Sequence, residues 1–324
     1  VKVCVVGAGA IGTFIGIHLA RTGCEMSTLA RGATGAALRA HGFRFQQDGA
    51  TVTAPVRVAE SAGALGGQDL VVVTVKAPAL AAVAGSIAAL LRPETIVLPA
   101  MNGVPWWFFH GLGGPHEGAA VHAVDPEGRI TAAIPVRHVI GCVVHATCSV
   151  VEPGLVRHGF GRGLILGEPG GGASARVTAL ADRLTAAGFE TTVSKRIQAD
   201  VWYKLWGNMT MNPMSALTGA TCDRLLDDPL LDRFTLTIMA EAAAIGAKIG
   251  CPIGQSGEAR NAVTRKLGAF KTSMLQDVEA GRPLEIDALL TAVSEIGERV
   301  GVPTPGTDAL LGLVRVFAAG RGLY

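Results

Sequence analysis

The stretch Val3-Cys-Val-Val-Gly-Ala-Gly-Ala-Ile-Gly12 decides the fold of this chain. Its first four residues are apolar and mostly β-branched, the pattern of a buried strand. They run straight into G-x-G-x-x-G. A helix pattern follows at once, with Ile11, Ile15 and Leu19 at helical spacing and Gly23 as its stop. Met26-Ser-Thr-Leu-Ala30 then reads as a second strand. Each glycine has a physical task. Gly7 permits the tight turn, Gly9 lets the backbone approach a pyrophosphate, and Gly12 lets helix and strand pack closely. Gly7, Ala8, Gly9, Ala10, Ile11 and Gly12 thus form a cradle at a helix N-terminus, where free N–H groups and the helix dipole favour negative charge. A G-x-G-x-x-G turn alone is weak evidence. With strand, turn, helix and strand in order it predicts a dinucleotide site.

The residue after the second strand selects the cofactor. NAD-binding chains usually place Asp or Glu there for the ribose hydroxyls; this chain has Arg31. A carboxylate would repel a 2′-phosphate, whereas a guanidinium pairs with it through two donors. The expected cofactor is therefore NADP, as NADPH.

Further strands are expected at Leu70–Val75 and Thr95–Ala100, with an alanine-rich helix between them. Lys76 follows the first and Asn102-Gly103 the second. Ligands of open α/β sheets bind beyond the carboxyl ends of strands, so Lys76 and Asn102 point toward the glycine loop. After residue 115 the pattern changes. Ala119–Val124, Val139–His145, Gly154–His158 and Leu164–Leu166 look like short strands that extend the sheet, partly antiparallel. Gly170-Gly-Gly172 reads as a turn before a helix near Ala173–Ala187, not as a phosphate loop, because no strand feeds directly into it. Phe189–Val193 is the last strand expected.

From about Arg196 helix patterns dominate, with breaks at Pro213, Gly219, Pro252, Gly281, Pro283 and Pro303. Trp202-Tyr-Lys-Leu-Trp-Gly-Asn-Met-Thr-Met-Asn-Pro213 reads as a helix rich in large apolar residues. Lys204, Asn208 and Asn212 recur every four residues, a drift of only about 40° per step, so they share one face. Trp202, Leu205, Trp206 and Met209 occupy other faces. One ammonium and two amides on so apolar a helix suggest the wall of a cleft; a solvated lysine and cap asparagines are the plain alternative. Further on, a helix carrying Ser273, Met274 and Asp277 is expected to end at Gly281. Pro283 should start the next, with Glu285 in its first turn, where a carboxylate also suits the helix dipole.

Composition limits the function classes. The 324 residues are 49% hydrophobic and 17% charged with 43 glycines, which fits a compact chain of two domains. A net charge of +2 without a basic run gives nucleic-acid binding no electrostatic support. Mean hydropathy is high at +0.39, yet no apolar run approaches the ~18–20 residues of a membrane span. The opening strand is not a signal peptide. Cys4, Cys24, Cys142, Cys148, Cys222 and Cys251 are scattered without a C-x-x-C, as reduced thiols of a cytoplasmic protein would be. The eight histidines have no metal-ligand spacing, and His145 and His158 read as strand residues. No metal site is expected, and there is no G-x-S-x-G nucleophile elbow.

The motifs together resemble the ketopantoate reductase (2-dehydropantoate 2-reductase) family over essentially the whole chain. The matching pieces are G-A-G-A-I-G at 7–12, Arg31, V-T-V-K-A at 73–77, M-N-G at 101–103, W-x-K-L-x-x-N-x-x-x-N-P at 202–213, S-M-L-Q-D, and E-I-D at 285–287. The resemblance implies an α/β Rossmann domain over 1–195 and an all-α domain of the 6-phosphogluconate dehydrogenase C-terminal type over 196–324, with substrate in the cleft between. It implies NADPH-dependent reduction of ketopantoate to pantoate, on the route to pantothenate. It further implies Lys204 as the catalytic lysine, with Glu285 beside it and touching cofactor as well. Asn102, Asn208, Asn212 and Ser273 become cleft residues, with Asn102 also near the cofactor. Arg31, Lys76 and the glycine loop become cofactor contacts. The partner is a small 2-keto acid, and the sequence leaves a homodimer open. Two departures stand out: Phe270-Lys271 precedes Ser273 where some members carry another substrate-binding Asn, and Val104-Pro-Trp-Trp-Phe-Phe109 is unusually aromatic. They leave room for a different 2-keto acid on the same scaffold. A non-catalytic NADP sensor is the remaining alternative, and Lys204 argues against it.

Overall fold

The computed structural model describes residues 1–324. Two compact units emerge. One comprises 1–101 with 128–197, the other 102–127 with 198–324. A single cut at 195/196 leaves 102–127 with the α/β half; in the structure this segment packs with the helical unit.

The first unit contains ten strands: β1 (Lys2–Val6), β2 (Glu25–Leu29), β3 (Phe43–Gln47), β4 (Ala50–Ala54), β5 (Arg57–Ala59), β6 (Leu70–Val73), β7 (Ile96–Pro99), β8 (Gly141–Glu152), β9 (Leu155–Gly167) and β10 (Glu190–Val193). Its helices are α1 (Ala10–Ala20), α2 (Gly32–His41), α3 (Leu80–Ala88), α4 (Arg129–Ala133) and α5 (Ala175–Ala186). One sheet is wholly parallel, in the order β5-β2-β1-β6-β7. The chain moves outward from β1 to β2 and β5 on one side, then crosses to β6 and β7 on the other side of β1, which makes β1 the switch point at which such sheets bind ligands.

The expected extension of this sheet is instead a second sheet. It runs β10-β9-β3-β4, with β8 paired antiparallel to β9. Residues 155–158 and 164–166 belong to one strand, β9, and Gly154 lies in the turn before it. Its first half pairs with β3 and its second half with β10. Residues 119–124 form turns, not a strand. Strands β3 to β5 and helix α2 carry weak local signals and lie outside the elements expected from sequence. Helix α1 has Phe14, Ile15, Ile17 and Leu19 at 1% exposure or less, in one core with Val3 and Val5 of β1 and Phe45, Leu164 and Leu166 of the second sheet. A helix buried this completely cannot show a strong polar face. Burial lowers the His18 pKa and keeps the ring neutral, with Nδ1 2.8 Å from the Phe14 carbonyl.

The second unit is helical: α6 (Ile197–Thr218), α7 (Cys222–Asp227), α8 (Pro229–Lys248), α9 (Gly257–Arg265), α10 (Ser273–Glu279), α11 (Ala292–Val300) and α12 (Pro305–Ala319). A wide turn of π register, Asp287–Thr291, leads directly into α11. Helix α6 does not stop at Pro213; the proline lies inside it. Proline costs a helix interior about 3 kcal/mol. Burial of Met209, Met214 and Ser215 around it offsets that cost. Trp202 and Trp206 are buried, and their indole N–H groups donate to the Ala242 and Met239 carbonyls of α8 at 3.0 and 2.7 Å. No helix is long and apolar enough to cross a membrane.

Candidate active site

The glycine loop has the geometry its sequence requires. Gly7 sits at the end of β1 with φ +104°, and its carbonyl accepts from Gly9 N at 2.8 Å and Thr74 Oγ1 at 2.6 Å. A Cβ on Gly12 would stand 2.2 Å from the Gly7 oxygen and 2.5 Å from Thr74 Oγ1, so only glycine fits. Gly9 differs: no protein atom lies within 4 Å of where its Cβ would be. It is the residue before α1, which has no side-chain cap and no acid in its first turn. Ala10 and Ile11 open that helix with their side chains half-buried. Ala8 is half-buried as well. Free amides on an uncapped helix fit a pyrophosphate.

Arg31 is exposed, two residues past β2, at the N-terminus of α2. Its guanidinium donates to the Glu60 carbonyl at 3.2 Å, and Arg39 engages the Glu60 carboxylate at 2.7 Å. No acid occupies the first turn of α2. Lys76 lies half-buried beyond β6, preceding a short 3₁₀ turn at Ala77–Ala79. Gly7, Arg31 and Lys76 thus stand at the carboxyl ends of three adjacent strands, β1, β2 and β6. Thr74 belongs to the V-T-V-K-A motif, but its role of fastening the glycine loop is revealed only where β6 lies beside β1.

In the second unit the polar stripe of α6 has partners. Lys204 is half-buried, and its Nζ donates to Asn102 Oδ1 at 3.0 Å. Asn208 is half-buried one turn on. Asn212 is buried, with Nδ2 3.5 Å from Ser273 Oγ. Ser273 is the first residue of α10, and the preceding Thr272 caps that helix by accepting from Leu275 N. Glu285 is 5% exposed. It lies just before the helix that begins at Ile286, not in a first turn opened by Pro283, and its carbonyl accepts from Leu289 N. A carboxylate at this N-terminal position still suits the helix dipole.

The departures have structural explanations in part. Trp106, Trp107, Phe108 and Phe109 are buried in turns, and Phe108 lies 5.8 Å from Trp202 between ring centroids. They pack the core of the second unit. Phe270 is half-buried, and its carbonyl accepts from Cys222 N. Gly170–Gly172 follows β9 closely, but the acidic group held there is internal. The Glu168 carboxylate accepts from Arg176 and from Ser174 Oγ.

Two family models match, both described as ketopantoate reductase PanE/ApbA: one over residues 3–171, and its C-terminal counterpart over 196–318. The chain belongs to the ketopantoate reductase family. It is 47% identical over 326 residues to the 2-dehydropantoate 2-reductase of Mesorhizobium japonicum, covering 100% of this chain and 99% of the relative. A Ralstonia solanacearum protein provisionally assigned as a ketopantoate reductase has a crystal structure matching at TM-score 0.97 and 62% identity, over 100% of this chain and 99% of that one. The 2-dehydropantoate 2-reductase of Methylococcus capsulatus matches at TM-score 0.83 and 28% identity, over 99% and 98%. The same fold occurs in a D-mandelate dehydrogenase solved with NADH and anilino(oxo)acetate, at TM-score 0.84 and 24% identity over 99% of this chain and all of that one. Ketopantoate reductases are oxidoreductases, and a nicotinamide cofactor is the hydride source of this chemistry.

Proposed function

We propose that the chain reduces 2-dehydropantoate to (R)-pantoate with NADPH, supplying pantothenate biosynthesis, and that Lys204 is the general acid. The observation that carries this reading is the 3.0 Å bond from Lys204 Nζ to Asn102 Oδ1 in a chain of this family. Reduction of a 2-keto acid needs hydride at the keto carbon and a proton at the keto oxygen. The nicotinamide supplies the hydride. Lys204 does the rest at the oxygen: its ammonium stabilises the developing alkoxide and then transfers a proton to it. The Asn102 amide selects one of the many conformations of the lysine chain. Asn208 and Asn212 bind substrate oxygens without adding net charge, Ser273 donates to the substrate carboxylate, and Glu285 accepts from the substrate hydroxyl or steadies Lys204.

The glycine loop at 7–12 holds the pyrophosphate, and Lys76, Asn102 and Glu285 contribute further cofactor contacts. Arg31 takes the 2′-phosphate. Its guanidinium stands where NAD-binding chains place a carboxylate, and no acid in the first turn of α2 opposes a phosphate. A cytoplasmic setting suits six cysteines with no disulfide bond among them.

The deciding experiment is NADPH oxidation with 2-dehydropantoate, run beside NADH and a panel of other 2-keto acids. The expected outcome is highest kcat/KM for NADPH with 2-dehydropantoate. A higher value for another keto acid would place this chain's specificity elsewhere on the same scaffold. Cofactor binding without turnover of any keto acid would identify a sensor.

A further inference from the structure

The loop that carries Asn102 is gripped by an irregular turn. Gly103 has φ +82°, and a Cβ there would stand 2.5 Å from the Ala288 carbonyl oxygen and 2.6 Å from the Ala288 Cβ. The next amide, Val104 N–H, donates to that same carbonyl at 2.8 Å. Ala288 lies in the wide turn Asp287–Thr291, where the Ala292 amide reaches back five residues to the Asp287 carbonyl. Turns of this register are rare inside helices and recur at functional sites.

Side chains hold the turn open in this form. Thr291 Oγ1 donates to Asp287 Oδ1 at 2.7 Å, and the Tyr324 hydroxyl donates to the same oxygen at 2.9 Å. The Leu284 amide, on the other side of Glu285, donates to the Leu323 carbonyl at 2.9 Å. Ala288 itself is 2% exposed. The carbonyl that receives Val104 is therefore fixed, and the backbone at 103 has room for glycine alone.

We propose that the wide turn at 287–291 is a positioning device. Through the Ala288 carbonyl and the close fit of Gly103 it sets the Asn102 amide, and through Asn102 it sets the Lys204 ammonium. Gly103, Ala288 and Tyr324 are positioning residues in this scheme. The proposal rests on the reading of Lys204 as the proton donor. Geometry decides its weight: a 1 Å misplacement of a reacting group costs on the order of 10²-fold in rate.

A kinetic double-mutant cycle tests it, because residues that act through one another are not additive. Gly103→Ala is measured alone and combined with Asn102→Ala, with active sites counted by NADPH titration. The expected result is a kcat lowered roughly 10²-fold by Gly103→Ala in the wild-type background. In the Asn102→Ala background the same change should cost less than about threefold. Tyr324→Phe removes one tie of the turn at a residue 53% exposed, so it keeps the test available if Gly103→Ala does not fold. Its kcat loss, several-fold, should likewise vanish without Asn102. Equal losses in both backgrounds, or unchanged kcat per active site, would overturn the proposal. Lys204→Ala is run in parallel. Near-wild-type turnover there would remove the proton-donor reading, whereas the Gly103–Asn102 coupling is read independently of it.

Discussion

Lys204 is the residue on which the proposed chemistry turns. Its ammonium donates to the Asn102 amide oxygen, a neutral acceptor that orients it without cancelling its charge. Lys204→Ala should lower kcat with NADPH and 2-dehydropantoate by about 10²–10⁴-fold, the usual worth of general acid catalysis. NADPH affinity, measured by fluorescence titration, should stay within a few-fold, since the loss belongs to the chemical step. Arg31 answers to the opposite pattern. Arg31→Ala should lower kcat/KM for NADPH by roughly 10–100-fold, the range of a hydrogen bond to a charged group, and leave NADH nearly unaffected. An equal loss with both cofactors would mean that Arg31 merely supports the start of α2. Both residues were legible in the sequence, one by helical period and one by its place after a strand. The partner of Lys204 was not, because nothing in the spacing of 102 and 204 announces a contact.

Two glycines separate the roles within the β1–α1 element. Gly12→Ala places a Cβ 2.2 Å from the Gly7 carbonyl, so it should lower the melting temperature and weaken NADPH binding together. Gly9→Ala meets no protein atom, and residue 9 has φ −84°, open to any L-residue. It should leave the melting temperature within a degree or so and still weaken NADPH at least tenfold, since the added methyl stands in the path of the pyrophosphate. Parallel melts and titrations of the two variants check this. The element was readable from sequence because its steric demands are local. Helix α6 was readable in its face but not in its end. Proline was expected to limit it, and buried packing carried the helix through Pro213. Glu285 was displaced for the same kind of reason: a wide turn, not Pro283, governs how that helix begins.

At the scale of the whole molecule, stability depends on pH through ion pairs such as Arg176–Glu168, whose arginine also donates to the carbonyls of Arg137 and Val139. Burial by itself would raise the Glu168 pKa. Hydrogen bonds from Arg176 and Ser174, and the charge of Arg176, outweigh it and hold the carboxyl below its ordinary 4.5. A carboxyl depressed in the folded state stabilises above its unfolded value and loses that contribution as pH falls through its folded value. Glu168→Gln should therefore destabilise the protein at pH 7, and the gap to wild type should narrow as pH drops below about 4.5. Urea unfolding at both pH values measures it; a gap independent of pH would mean that packing, not charge, is what Glu168 contributes.

The sequence by itself determined the glycine turn between β1 and α1, the basic residue Arg31 after β2 and the stripe of Lys204, Asn208 and Asn212. These follow from periodicity, steric room and charge within a few residues of one another. Tertiary structure alone decided that β3, β4, β8, β9 and β10 form a separate sheet and that 102–127 belongs to the helical unit. Glu295 secures that segment by accepting from His122 N and Ala123 N at 2.9 and 2.7 Å, and Arg299 donates to the Ala120 carbonyl. Such bonds join residues more than 170 positions apart. On the 102–127 side the partners are backbone amides and a carbonyl, groups that nearly every residue carries, so no side-chain pattern marks which of them a distant carboxylate or guanidinium will meet.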